Sequence, residues 1–185
     1  MELALSILIG LGLSAACGYR VFVPFLVLSI AAMTGHVTLA QGFQWIGTPY
    51  ALTAFAVATV LEVVAYYVPW VDNLMDAAAT PAAVVAGILI TASVVGDVSP
   101  FLRWSLAVIA GGGVAGAIQA ATVVVRGTSS ATTGGLGNPV VATGELGGSI
   151  VTSILAVLVP IAAVLLVVLL LVLIIRFARR RIEAC

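Results

Sequence analysis

The chain carries few groups able to do chemistry: seven Arg, seven Asp or Glu together, one His, two Cys and no Lys. Arg20, Glu62, Asp72, Asp76, Asn138 and Glu145 are the candidates for binding a substrate or ion. Carboxylates attract a cation or relay protons, and an amide adds a neutral oxygen. Asp72 and Asp76 are spaced i, i+4 and share a face if the segment is helical. Arg20 has two readings. It pairs with one of these carboxylates and locks a turn, or it contacts an anionic group, since a guanidinium suits bidentate oxygen partners. His36 has no companion ligands, so no metal and no cofactor is expected. No Walker loop, G-x-S-x-G or H-E-x-x-H occurs, and no enzymatic reaction is predicted. Cys17 and Cys185 give no disulfide framework.

The elements that must position these groups have a composition of their own. Hydrophobic residues make up 63% and charged residues 8%. Soluble domains are about half apolar and about a quarter charged, and a small one leaves roughly a third of its chain surface in water. So apolar a chain belongs in a bilayer, as an all-α polytopic bundle. The same composition excludes disorder. Zero net charge and the missing Lys exclude nucleic acid as a partner.

A span needs about 20 apolar residues. The apolar stretch over 3–34 is too long for one span and is broken by Cys17-Gly18-Tyr19-Arg20 and Pro24. It reads as a short helical hairpin; one bent span would give five spans in place of six. Further spans are expected at 49–68, 81–95, 101–125 and 150–175, the last kinked at Pro160. One membrane domain over 1–185 results. It comprises the hairpin 1–34, central spans over 49–125, a Gly-rich connection 126–148, the last span and a basic tail 176–185. Gly112 and Gly116 form a G-x-x-x-G face suited to close helix packing, within the chain or in a homo-oligomer. The Gly-rich connection is either an ordinary loop or a segment dipping back into the membrane, where freed carbonyls coordinate ions.

Arg176, Arg179, Arg180 and Arg181 predict a cytoplasmic C-terminus, and six spans put the N-terminus there too, in an inner (plasma) membrane. Arg20 and Arg126 then fall on the opposite side, against the positive-inside rule. The connections 17–24, 68–81 and 126–148 collect on one non-cytoplasmic face. Pro24-Phe25-Leu26 returns as Pro100-Phe101-Leu102 at the start of a span of opposite direction. That is the pattern of an inverted three-plus-three repeat.

The run Ala16-Cys17-Gly18-Tyr19-Arg20, then Val71-Asp72-Asn73-Leu74-Met75-Asp76 with Thr80-Pro81, then Gly134-Gly135-Leu136-Gly137-Asn138-Pro139, resembles the bacterial multi-pass family labelled domain of unknown function 4126. The resemblance implies a stand-alone inner-membrane protein and carries no activity with it. The residues themselves point to a transporter or channel for a cation, a proton or a small solute, with a polar site at the non-cytoplasmic face. The alternative is a non-transporting scaffold or lipid-binding subunit held by Gly-rich packing.

Overall fold

The computed structural model describes residues 2–68 and 71–183. The side chains at 2, 72–74, 76, 174, 175 and 177–183 lie outside the description. The chain is all-α and apolar enough for a polytopic membrane bundle. Pro49–Tyr67, Ala77–Val94, Pro100–Thr133 and Asn138–Leu158 each have the length and composition to cross a bilayer. Leu3–Cys17, Phe22–Met33 and Pro160–Leu173 are shorter apolar helices.

The order is α1 (Glu2–Cys17), α2 (Phe22–Met33), a 3₁₀ turn, α3 (Pro49–Tyr67), α4 (Val71–Val94) and α5 (Pro100–Leu106). A π-helical turn at Ala107–Gly112 joins α5 to α6 (Gly113–Thr133), followed by α7 (Asn138–Leu158) and α8 (Pro160–Glu183). α1 and α2 form the expected hairpin. The turn between them depends on Gly18, where a Cβ would sit 2.7 Å from the Ala115 carbonyl oxygen and 2.6 Å from Ile118 Cβ. No side chain fits there.

α1 is the central helix. Gly10 packs on Thr91 and Val94 of α4, and Gly12 packs on Ala156 and Ala163. Opposite, Gly87 of α4 approaches Ala115 and Gly111, while Gly112 and Gly116 meet Ile88 and Val84. The G-x-x-x-G face is thus used inside the chain, against α4. Missing side chains let the backbones approach, and dispersion between them is the main attraction when both alternatives are apolar.

Three elements differ from expectation. The segment 126–148 is not an irregular connection. α6 continues to Thr133, a short turn follows, and α7 begins at Asn138. Gly134 at φ 62° and Gly135 at φ 90° stop α6 in the left-handed region, and Pro139 sits at the start of α7, where its missing N–H costs nothing. α4 begins at Val71, and Pro81 lies inside it rather than at its start. Finally, 150–175 is not one kinked span. Ser149 bonds the Ala16 carbonyl, and Ala156 and Ala163 both touch Gly12. Val167 then packs with Ala15 and Ile118, and Leu171 lies against that cluster beside Tyr19. α7 therefore runs inward along α1, and α8 runs back out the same way. Pro160 makes a hairpin, because Val159 leaves the helical region at φ −140°, ψ 69°.

The bundle has two distinct ends. The arginine end holds the α1–α2 turn, the last turn of α3, the α6–α7 tip and the outgoing part of α8. The recess end holds the start of α1, the segment 34–48 and the 94–99 turn. Glu2 and Glu183 therefore lie toward opposite ends, which departs from two termini on one face. Pro24-Phe25-Leu26 and Pro100-Phe101-Leu102 do begin helices of opposite direction. Phe25 is buried and Phe101 is 82% exposed, so the two copies occupy unlike surroundings.

Candidate functional site

The turn after α1 leaves the first N–H groups of α2 without intrahelical partners, as at any helix start. Val21 offers no side-chain cap. Glu62, a turn before the end of α3, does the capping from outside. Its carboxylate accepts from Val21 N–H at 2.8 Å and from Phe22 N–H at 3.0 Å. A negative charge at a helix N-terminus also meets the positive end of the dipole. Glu62 is buried, and these bonds occupy both of its oxygens.

Arg20 precedes that cap and is 1% exposed. Its Nη2 donates to the Ala142 carbonyl at 2.9 Å and lies 3.5 Å from Glu145 Oε2. Glu145, on α7, is held more firmly by Arg126 of α6. Arg126 Nε donates to Oε1 at 2.8 Å, and its Nη2 donates to Oε2. Both arginines pack on the Tyr66 ring. The Arg20 guanidinium carbon is 3.9 Å from the ring centroid and that of Arg126 is 4.0 Å from it. Each guanidinium meets the negative ring face in a desolvated setting, where such contacts are strongest. Nearby, Tyr67 and Thr143 hydroxyls meet at 2.6 Å and tie α3 to α7.

One feature of this cluster is unbalanced. Arg20 Nε and Nη1 are buried without a hydrogen-bond partner among the described residues. Both oxygens of Glu145 and of Glu62 already accept. A cavity of about 350 Å³ lies against Glu145, lined also by Tyr19, Ile118, Thr122 and Val141.

Arg20, Glu62 and Glu145 thus meet as the sequence candidates of one site. Asn138 does not join them. It exchanges hydrogen bonds with Ser130 across the α6–α7 tip, about 10 Å along α7 from Glu145 at the helical rise. The side chains of Asp72 and Asp76 lie outside the described residues. Arg126 and Tyr66 complete the cluster. Arg126 carries a sequence signal as a charge against the positive-inside rule, whereas nothing in the sequence marks Tyr66.

The chain from residue 7 to residue 180 matches DUF4126, a domain of unknown function. It belongs to that family. The match covers every helix that builds the cluster. No curated protein and no solved structure matches the chain.

A second polar region occupies the other end of this DUF4126 fold. A cavity of about 830 Å³ is lined by Ser6, Ile9, His36, Gln41, Asp97 and Arg103, among others. Its walls include non-helical backbone. Asp97 takes φ 50° in the 94–98 turn, a conformation Asp tolerates better than most residues. Ala40 N–H reaches the Ser93 carbonyl at 2.7 Å, which pins the 36–41 segment onto the end of α4. Gly10 and Gly111 both pack on Thr91. The recess reaches inward to Ile9 and Val94. Between recess and cluster lies a close-packed layer built on Gly10, Gly87, Gly111 and Thr91. The recess has no signal in the sequence, where His36 stands isolated, because its walls come from segments remote along the chain.

Proposed function

We propose that this membrane protein is a small transporter or channel for a cation, a proton or a small solute, with no enzymatic reaction. The observation that carries the reading is the recess. Polar side chains line it, and non-helical backbone at 36–41 and 96–98 forms part of its wall. An open polar recess at one end, a buried charge cluster at the other, and a close-packed layer between them suit a solute path closed at one face. Arg20, Glu62 and Glu145 are its internal polar groups; Asn138 stands at the α6–α7 tip, and the side chains of Asp72 and Asp76 lie outside the described residues. The test is proton flux into liposomes, read by an entrapped pH dye under a potassium-diffusion potential. Wild type should acidify its lumen and Glu62→Gln should lose most of that signal. Unchanged flux in Glu62→Gln removes this group from the path.

The orientation follows from the arginines. Arg20, Arg126 and the outgoing helix bearing Arg176 share the arginine end, and Arg103 lines the opposite recess. The positive-inside rule then puts the arginine end in the cytoplasm of a bacterial inner membrane and the N-terminus outside. The two violations found by counting spans disappear. A single cysteine at Ser129 should react with a membrane-impermeant maleimide only after cell lysis, and one at Thr38 in intact cells. The reverse pattern inverts the protein.

The second reading is a scaffold or lipid-binding subunit without transport, with self-association through its exposed apolar helices. It draws on the bidentate Arg126–Glu145 pair and the Glu62 cap, since such pairs fix geometry without further action. Absence of flux for any tested ion, with a stable oligomer, favours it.

A further inference from the structure

We propose that the arginine end holds a binding site for an oxyanion, a carboxylate or phosphate group, whose direct ligand is Arg20. This rests on the transport reading only for its purpose; the site itself stands on the hydrogen-bond inventory. Arg20 is 1% exposed, and its Nε and Nη1 have no partner among the described residues. A guanidinium has five N–H donors and no acceptor. Tyr66 covers its face and Ala142 takes Nη2, which leaves Nε and Nη1. Buried donors left unsatisfied are costly, more so when charged.

The nearby acceptors are already engaged. Glu62 serves Val21 and Phe22, Glu145 serves Arg126 on both oxygens, and the Ala142 carbonyl takes Arg20 Nη2. Among the described residues no acceptor is in hydrogen-bond reach of Nε or Nη1. A cation adds none, whereas a carboxylate or phosphate brings several and matches guanidinium geometry. The cavity against Glu145 is lined mainly by apolar side chains and lies on the α6–α7 side of the cluster. Its one charged wall is Glu145 and Arg20 is not among its lining residues, so the site rests on the unmet donors of Arg20 and not on this space. Arg20, Arg126, Glu62 and Glu145 sum to zero charge, so the anion enters with a cation, a proton included. The internal polar site of a cation path and an oxyanion site are then one site with two occupants.

The experiment uses the full-length protein in nanodiscs. Thermal unfolding is followed while inorganic phosphate or acetate replaces chloride at constant ionic strength. In a parallel arm, phosphatidylglycerol replaces part of a phosphatidylcholine bilayer. A ligand that binds only the folded state raises the midpoint with its concentration. Wild type and Arg176→Gln, which alters an exposed arginine, should respond alike. Arg20→Lys keeps the charge and loses Nε and Nη1; its apparent affinity should fall at least tenfold. A response to phosphate or acetate identifies a soluble anion, and a response confined to phosphatidylglycerol identifies a lipid headgroup. No response of wild type in either arm, or an equal response in Arg20→Lys, overturns the proposal. Should Arg20→Lys not fold, the nitrogen-15 signal of Arg20 Nε in wild type decides. It must move on titration while that of Arg176 stays, and a fixed signal refutes the site. Loss of proton flux with this binding intact refutes transport and leaves the site standing.

Discussion

The two ends of α1 meet polarity in opposite ways. At the arginine end, charged side chains from α3, α6 and α7 converge on the α1–α2 turn and are buried among one another. At the recess end, polar groups line a large cavity and are mostly exposed or half-buried. The first arrangement is rigid, because a buried charge without its partner is expensive. The second is open to rearrangement, since water replaces lost partners there. The comparison assigns stability to one end and access to the other.

The strongest way to break this division is Glu145→Ala. It leaves Arg126 and Arg20 buried without their shared carboxylate, and breaking a buried pair costs about 3–5 kcal/mol. Thermal unfolding in a mild detergent should show the lowest midpoint of the series; a midpoint near wild type means that the arginine end is not the rigid one. An intermediate effect is expected in the layer between the ends. Gly87→Val would place Cβ 2.6 Å from Ala115 Cβ and 2.7 Å from the Gly111 carbonyl. Overpacking of this kind costs about 1–3 kcal/mol. Easier proteolysis within α4 and a lowered midpoint are the readouts; tolerance of Val shows that α4 and α6 move apart freely. The smallest effect belongs to the recess. His36 is exposed and its ring bonds only Thr34 within the described residues, so His36→Ala should change stability by no more than about 0.5 kcal/mol. A larger loss would place the recess in the folding core.

Parts of this organisation were legible in sequence and parts were not. Arg20, Glu62 and Glu145 stood out because ionisable residues are rare in so apolar a chain. Counting helices put the connections 17–24, 68–81 and 126–148 on one non-cytoplasmic face; the structure makes 71–81 and most of 126–148 helical and keeps only short turns there. The misreading of 126–148 came from treating Gly134-Gly135 and Asn138-Pro139 as loop chemistry. Two glycines followed by a proline are also a helix stop and a helix start. Hydropathy could not separate the alternatives, because Thr, Ser and Gly near the tip suit a loop and a solvated helix end alike. Pro160 was noticed, but kink and reversal differ only in how α7 and α8 pack on α1.

By itself the sequence determined the solvent: 63% hydrophobic and 8% charged residues leave no soluble alternative. It also determined the helical class, since within a bilayer backbone polar groups are satisfied only in helices or closed barrels. It named the charges that must find partners. Tertiary structure alone decided which partners they found. Glu62 caps α2 across a gap in sequence, Arg126 holds Glu145, and Tyr66 contacts two guanidinium groups. Tertiary structure also decided which end carries the arginines. That depends on α8 turning back at Pro160, and the reversal depends on Ala156 and Ala163 both fitting against Gly12. Residue types declare what a group requires, and only the packed bundle supplies it.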